Sequence, residues 1–392
     1  MPSVPQWFNP PLRRKNHSLS TSRPPPDNPG LAGQLSPRDK DHPLPYYIGV
    51  DVGGTTSTLA VGNDRREVVY VSPQFATTPD LGPQSSIAAI VAAAQEAMAH
   101  IGAPLTEVAG AAIATPGPAT MDGVLLATPN LNRELWNNFN IRAGLEAGLR
   151  QHHPTLNVRY LGDGQAAALG EYSIRSRQLT WSRVTNDSLP NETLDSLFMV
   201  IVGTGLGGGA VLGGQAIQGS QGRAGHVGHI LLPSYAFRYE HDQKLLKGNA
   251  YATSESAVSL SGLAHQLEYR LKLPEWASHS LNQIEGTARE KAKRLRDLVG
   301  AGDPLAQQLF DDQARALGIT LLSVNYLGDY DRLVIGGGVC DLIPSVRDRY
   351  RQLAEEEYRK HALDGFRNLD RFEFSVCGDE APVVGALRWS MP

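Results

Sequence analysis

Cysteine is scarce in this chain of 392 residues, which contains only Cys340 and Cys377. Two cysteines cannot build a disulfide scaffold, and so small a number suits a reducing compartment. Long hydrophobic runs are also missing, because no apolar stretch approaches the roughly 18 residues that would predict a membrane span. These two absences favour a cytoplasmic protein that has no membrane partner.

A strong excess of one charge is missing as well. The formal net charge is −4 at pH 7, and charged residues make up 19% of a chain that is 41% hydrophobic. This composition is ordinary for a globular protein, and it provides no overall basic surface for nucleic acid. A secretory signal is not indicated either, since no apolar segment follows the basic residues near the N-terminus.

The composition along the chain indicates three regions. Residues 1–44 are rich in proline, serine, asparagine and charge, which predicts a disordered, Pro-rich tail because such a segment cannot bury much apolar surface. The length that remains is sufficient for two domains. A polar, aperiodic segment over residues 173–195 is either a surface insertion or the boundary between an N-terminal lobe at 45–195 and a C-terminal lobe at 196–392.

Two strand-like segments, one in each half of the chain, end in turns of glycine and threonine. Residues 46–52 lead into Gly53-Gly54-Thr55-Thr56, and residues 197–202 lead into the glycine-rich segment 203–209. A second apolar run follows each turn, which predicts two β-hairpins. Glycine lets backbone N–H groups approach an anion closely, and threonine adds a hydroxyl donor. Two such turns facing one another would bind a polyphosphate, so they point to an ATP-dependent phosphotransferase.

The second turn also satisfies the G-x-G-x-x-G fingerprint of dinucleotide-binding proteins, through Gly203, Gly205 and Gly208. That fingerprint requires a helix directly after the glycines and an acidic residue about 20 positions further on. Here an apolar strand follows, and the next acidic residue is Glu240. A hairpin that merely needs glycine is the second alternative. The phosphate-binding interpretation is favoured over both.

Strands and helices are mixed in both halves of the sequence. Helical patterns cover roughly 254–272, 304–327 and 343–361, and strand patterns include 108–113 and 332–335. Mixed strands and helices in two similar halves predict an α/β fold of two lobes with a central cleft.

Four groups of residues resemble, in the same order, the motifs of the ROK family of sugar kinases. They are 51–55, similar to the first phosphate loop; 116–118 with 122–123, 129–131 and Trp136, similar to the sugar-lobe signature; 203–209 with Gly219, 224–225 and 228–229, similar to the second phosphate loop and the start of the sugar-binding segment; and 335–339, similar to the adenosine motif. The resemblance covers most of residues 46–390. It implies the actin-like ATPase (ribonuclease H-like) fold with duplicated lobes, and a glucokinase-like kinase that uses ATP and Mg²⁺.

The resemblance also implies roles for individual residues. Asp163 corresponds to the aspartate that takes the proton from the attacking sugar hydroxyl, and Asp51 would hold Mg²⁺ through water. A free aspartate is a poor base, with a pKa of about 3.9, but phosphoryl transfer depends mostly on orientation and charge neutralisation. The alternatives are a helix N-cap for Asp163 and a turn-stabilising carboxylate for Asp51. The implied ATP- and phosphate-binding residues are Asp51, Gly53, Gly54, Thr55, Gly203, Thr204, Gly205, Gly207, Gly336, Gly337 and Gly338.

Four polar residues are the candidate sugar contacts. They are Asn130, His226, His229 and Glu255, chosen because hydroxyl recognition needs matched donors and acceptors. A simple turn residue is the alternative for Asn130, and an acidic residue in the first turn of a helix is the alternative for Glu255. Glucose or a related hexose is the sugar that the family implies.

The sequence departs from the family's pattern near these candidates. His226 stands where the family usually has Glu, and Gly162 and Gln165 stand where it commonly has Asn. A neutral imidazole offers one donor and one acceptor, whereas a carboxylate only accepts. The substituent of the sugar that faces His226 should therefore be recognised differently. An imidazole with an unperturbed pKa near 6.5 would also change its charge around neutral pH.

A structural zinc is not expected. Many members of the family carry a zinc loop after the histidine that corresponds to His229, but residues 233–254 contain no cysteine, and thiolates are the ligands that close such a site. A substitute metal site formed by His226, His229 and His241 is the alternative.

Two other functions compete with that of a kinase. One is a sugar-binding regulator, because some ROK-like proteins are repressors with an N-terminal helix-turn-helix. Residues 1–44 lack a helical apolar period and contain closely spaced prolines, so no DNA-reading helix pair fits there. The other is a catalytically silent relative, which the changes at Gly162 and His226 suggest. The expected partners are a small-molecule sugar and ATP, and a homodimer is compatible with the sequence.

Overall fold

The computed structural model describes residues 45–128, 131–184, 189, 193–367 and 372–392. The predicted tail, residues 1–44, lies outside the described residues. The described chain contains two β-sheets, each built around one of the two predicted hairpins. No helix in the described ranges is long and apolar enough to cross a membrane.

The first sheet has seven strands and carries the first glycine turn. Its strands are β1 (Tyr46–Val52), β2 (Thr56–Asn63), β3 (Glu67–Val71), β4 (Phe75–Ala76), β5 (Val108–Thr115), β6 (Val158–Gly162) and β7 (Thr180–Trp181). They lie in the order β6-β5-β1-β2-β3-β7, with β4 paired to β2. Residues 53–55 join β1 to the antiparallel β2, while β5 and β6 run parallel to β1. The first predicted hairpin is confirmed.

The described residues of this half of the chain form four α-helices. They are α1 (Pro83–His100), α2 (Arg133–Trp136), α3 (Ile141–Arg150) and α4 (Asp163–Arg175). Apolar residues of α1 recur at helical spacing, among them Ile90, Ala94 and Met98. They pack with buried residues of β1, β2 and β5. The asparagine side chain of Asn140 begins α3 by accepting a hydrogen bond from the Ala143 N–H at 2.9 Å.

The second sheet repeats the plan of the first. Its strands are β8 (Ser196–Val202), β9 (Leu206–Leu212), β10 (Gln215–Ala216), β11 (Arg332–Gly337) and β12 (Phe372–Phe374), in the order β10-β9-β8-β11-β12. β8 and β9 pair antiparallel up to Val202 opposite Leu206, which confirms the second hairpin. β11 and β12 run parallel to β8. Each sheet thus places a hairpin beside parallel strands, and the predicted duplication is confirmed.

The remaining helices follow in the second half of the chain. They are α5 (Ser254–Ala257), α6 (Leu260–Arg270), α7 (Ala288–Ala292), α8 (Leu295–Gly300), α9 (Pro304–Gly328), α10 (Pro344–His361) and α11 (Ala381–Ser390). The patterns over 304–327 and 343–361 correspond to α9 and α10. The prediction of one helix over 254–272 is wrong, because Ser259 is extended and its hydroxyl caps a new helix by accepting from the Gly262 N–H at 2.9 Å.

Two helices connect the sheets by packing against each other. α4 follows strand β6 of the first sheet but contacts β8 and β9 of the second. α11 follows strand β12 of the second sheet but contacts β1 and β5 of the first. A Cβ added to Gly385 would lie 1.7 Å from the backbone oxygen of Ala166, and one added to Gly170 would lie 2.2 Å from the backbone oxygen of Ala381. The two glycines therefore let the helix backbones touch, and the core around them joins both sheets.

Replacing Gly385 with alanine should destabilise the fold. The added methyl group has to push α11 away from α4, and overpacking of this kind costs about 1–3 kcal/mol or more. Chemical denaturation of Gly385→Ala should therefore show a lower free energy of unfolding. Gly365→Ala is the matched control, because a Cβ there meets no atom within 4 Å. Equal losses in the two variants would contradict the role of this contact.

Candidate active site

A cleft opens between the ends of β5 and β6 in the first sheet and the β8–β9 turn of the second. The residues that line it are 116–118, Tyr160, 162–165, Ile201, 203–208, Gly222, 224–226, His229 and Glu255. Asp163, the second glycine turn and three candidate sugar residues are thus brought together. The fourth candidate, Asn130, lies outside the described residues.

Asp163 is the first residue of α4 and directly follows β6. Its Oδ1 accepts a hydrogen bond from the N–H of Gly164 at 2.7 Å, and the residue before it, Gly162, occupies the N-cap position. The sequence alternative of an N-cap role for Asp163 is therefore wrong. Burial raises the pKa of Asp163 to about 6, although the Gly164 N–H lowers it. Such a carboxylate is a stronger base than a free aspartate at neutral pH.

Asp51 is the last residue but one of β1, beside the first glycine turn. Burial, followed by the negative charge of Asp163, raises the pKa of Asp51 to about 7. The negative charge of Asp163 disfavours the ionised form of Asp51, and a divalent cation held beside these carboxyl groups would favour it again. Oxygen ligands of this kind suit Mg²⁺, which binds proteins through few carboxylates. The residues present therefore fit the predicted metal.

The second glycine turn is held in place by Glu255. The Leu206 N–H donates to Glu255 Oε2 at 3.0 Å, and Lys247 Nζ lies 3.1 Å from Oε1. A Cβ at Gly205 would lie 2.6 Å from Glu255 Oε2, so a side chain there would displace the Glu255 carboxylate. At Gly203, by contrast, a Cβ would meet no atom within 4 Å. The space beside Gly203 is therefore open to a ligand.

Gln165 connects the end of β6 to the loop that precedes His226. Its Nε2 donates to the backbone oxygens of Gly222 and Ala224 at 3.2 and 2.9 Å, and its Oε1 accepts from the Gly162 N–H at 3.2 Å. The sequence marked Gln165 only as a departure from the family's pattern. This positioning role was missed because it depends on a partner 57 residues away in the chain.

His226 and His229 stand side by side, with ring centroids 6.3 Å apart. Burial lowers the pKa of His226, and the neighbouring His229 and Arg223 lower it further. The expectation of an unperturbed pKa is therefore wrong, and His226 is a neutral imidazole at pH 7. The loop of residue 248 covers His229, since a Cβ at Gly248 would lie 3.3 Å from the His229 ring. This loop also carries Lys247, which the sequence did not single out.

His241, the third histidine of the alternative metal site, lies in a different environment. Its ring stacks on His265 and Tyr269, with centroids 4.1 and 4.4 Å away. Within the part of the chain that the structure describes, no group of three His, Cys, Asp or Glu side chains is arranged to hold a metal ion. The histidine metal site is thus not formed, and the absence of a structural zinc stays a prediction.

The remaining predicted phosphate residues divide between two places. Gly53 and Thr55 lie in the first turn, where the Gly53 backbone oxygen accepts from the Thr77 hydroxyl at 2.9 Å, and they do not line the cleft around Asp163. Gly336 and Gly337 end β11. The following residues, 338–339, line a second cavity that shares Gly203 and Thr204 with the cleft.

Replacing Asp51 with asparagine should stabilise the protein in the absence of metal and nucleotide. The folded-state pKa of about 7 lies above the ordinary 3.8, so ionisation of Asp51 opposes folding as pH rises between these values. At pH 8 we expect the free energy of unfolding of Asp51→Asn to be higher than that of the wild type by on the order of 1–3 kcal/mol. The variant should therefore unfold at a higher temperature. At pH 4 the difference should vanish. Asp64→Asn in an exposed turn is the control, and a pH-independent gap would contradict the assignment.

Comparison with known proteins identifies the family of the chain. The sequence profile of the ROK family matches residues 47–391. A glucokinase of Halalkalibacterium halodurans is 25% identical over 343 residues, covering 87% of this chain and 93% of the relative. An N-acetylmannosamine kinase of Escherichia fergusonii is 29% identical over 299 residues, covering 74% and 82%. The crystal structure of a ROK hexokinase from Thermus thermophilus is 26% identical, with a TM-score of 0.65, and covers 88% of this chain and 97% of that one. The chain belongs to the ROK family, and its two sheets form the actin-like ATPase fold of that family's sugar kinases.

Proposed function

We propose that the protein transfers the γ-phosphoryl group of ATP to a hydroxyl group of a hexose, with Asp163 as the general base. The observation that carries the proposal is the position of this carboxylate, with its raised pKa, in one cleft with the second glycine turn and His229. A base, a phosphate-binding turn and hydroxyl-binding groups are the parts that such a transfer needs.

The reaction follows from this arrangement. The sugar hydroxyl gives its proton to a carboxylate oxygen of Asp163 while its oxygen forms a bond to the γ-phosphorus. The bond between that phosphorus and the β–γ bridging oxygen breaks, and the electron pair leaves with ADP. Backbone N–H groups of the Gly203–Gly209 turn bind the phosphate oxygens and hold them in line. Mg²⁺, when bound, neutralises phosphate charge, and Asp51 would hold it through water.

The sugar site is the less specific part of the proposal. His226, His229 and Glu255 line the cleft. One carboxylate oxygen of Glu255 accepts a hydrogen bond from the Leu206 N–H, and the other forms an ion pair with Lys247. One relative is a glucokinase and another is an N-acetylmannosamine kinase. Glucose and N-acetylmannosamine are therefore both first candidates. A neutral His226 can accept from a hydroxyl and donate to an acyl oxygen, so it suits either sugar.

A catalytically silent sugar-binding protein is the competing proposal. The motivating observation is the pair of departures at Gly162 and His226. Purified protein should be assayed for ADP release with ATP and Mg²⁺ over a panel of hexoses, amino sugars and N-acyl amino sugars. Release that depends on one sugar supports the kinase, whereas sugar binding without ADP release supports the silent protein.

Removing the base should abolish turnover and leave nucleotide binding intact. We expect Asp163→Asn to lower kcat by about 10²–10⁴, the usual contribution of a general base, with the Kd of ATP nearly unchanged. The wild-type kcat/KM should fall below about pH 6, where Asp163 becomes protonated. Asp64→Asn serves as the control variant. A loss of less than about tenfold in a folded Asp163→Asn protein would contradict the general-base role.

Changing His226 to glutamate should alter which sugar is preferred. The substitution replaces a donor and an acceptor with a group that only accepts, so the ranking of sugars by kcat/KM should shift by about tenfold or more between glucose and N-acyl sugars. The KM of ATP should not change. His241→Glu, outside the cleft, is the comparison. If His226→Glu preserves the wild-type ranking, His226 does not contact the sugar.

A further inference from the structure

The second cavity, beside the phosphate-binding turn, has a largely apolar wall. Six side chains provide it: Val202, Leu260, Leu263, Ala292, Phe310 and Val339. Gly203 and Thr204 of the turn line the same cavity, as do four charged side chains: Lys293, Arg296, Asp341 and Asp379. Arg296 forms an ion pair with Asp341 at 2.7 Å. An apolar wall with a few polar groups is typical of small-ligand pockets. A flat ring that is joined to phosphates matches this combination.

One polar side chain interrupts the apolar wall. Gln313, on the buried face of α9, lines the cavity and is 1% exposed. The hydroxyl of Tyr350 donates a hydrogen bond to its Oε1 at 3.2 Å. Its Nε2 is buried and has no hydrogen-bond partner among the described residues. Native proteins rarely bury a donor in this way unless a ligand or a function needs it.

Tyr350 decides which end of the amide remains for a ligand. It is 2% exposed, and burial raises the pKa of its hydroxyl far above the usual range, so the hydroxyl keeps its proton and donates. A glutamine amide has one acceptor oxygen and one NH₂ donor. Because the oxygen is engaged by Tyr350, the NH₂ group is the part of Gln313 that can bind an acceptor in the cavity.

We propose that Gln313 Nε2 donates a hydrogen bond to an unprotonated ring nitrogen of the adenine base of the phosphoryl donor. The inference rests on the proposed function, because it places the ATP phosphates at the Gly203–Gly209 turn. Adenine offers N1, N3 and N7 as acceptors, and any one of them would satisfy the buried donor. A base without an acceptor at that point would leave Gln313 unpaired, and sites of this kind reject such ligands strongly.

The first test removes the donor. Gln313→Leu should raise the KM of ATP and the Kd of ADP about tenfold, while kcat and the KM of the sugar stay unchanged. Tyr350→Phe corrects for the lost partner of the Tyr350 hydroxyl and should change the KM of ATP less than threefold. Gln307→Leu is the matched control on the same helix, since its Nε2 donates to Asp311 at 2.8 Å and it does not line the cavity.

The second test removes the acceptor from the ligand, and its first comparison uses only the wild-type protein. Equilibrium binding of 1-deaza-, 3-deaza- and 7-deaza-ATP to the wild-type protein should identify one analogue that binds about tenfold more weakly than ATP. In Gln313→Leu the same analogue and ATP should bind equally. Equal binding of ATP and all three analogues to the wild type would overturn the contact, and so would a penalty that Gln313→Leu preserves.

The outcome is separable from that of the proposed function. Binding of ATP and its analogues is measured without sugar, so a wild-type protein that never releases ADP still supports or overturns the Gln313 contact. If the wild-type enzyme is active and Gln313→Leu keeps the same preference for ATP over the deaza analogues, only the Gln313 contact is overturned. If the wild-type protein does not bind ATP, the inference is overturned as well.

Discussion

The active site depends on direct contact between the backbones of α4 and β9. A Cβ added to Gly164 would lie 2.3 Å from the backbone oxygen of Gly208, and one added to Gly209 would lie 2.2 Å from that of Gly164. Asp163 immediately precedes Gly164, and Gly208 and Gly209 lie in β9, which begins where the second glycine turn ends. The distance between the backbone of Asp163 and this turn is therefore set by main-chain packing.

Stability and function pull in opposite directions around this contact. Burial raises the pKa of Asp51 and Asp163, so ionisation of either carboxyl group opposes folding, and a bound cation would offset this penalty. Gln313 is a second case, because its NH₂ group is buried without an acceptor. By contrast, the buried Glu171 accepts from Arg175, Ser375 and two backbone N–H groups, and it joins α4 to the segment before α11. The paired charges around Glu171 therefore hold the frame together, whereas Asp163 and Gln313 line the two cavities.

The sequence was sufficient for the two hairpins, because apolar strands and glycine turns are local signals. It also predicted α9 and α10 close to their observed positions. It failed where a long-range contact decides the outcome. The break before Ser259, the Lys247–Glu255 ion pair and the lowered pKa of His226 all depend on neighbours that periodicity does not identify. The glycines at the α4–α11 contact look like ordinary helical residues until the partner backbone is present.

The exchange of helices between the sheets has a consequence for biosynthesis. Strand β7 ends at residue 181, yet α11, which covers β1, begins only at residue 381. A Cβ at Gly49 in β1 would lie 2.1 Å from the Leu387 nitrogen, so this face of the sheet is shaped for a helix that is made much later. At roughly 5–20 residues per second, a ribosome needs roughly 10–40 s to supply it. During that interval the nascent first sheet has an apolar face that waits for α11.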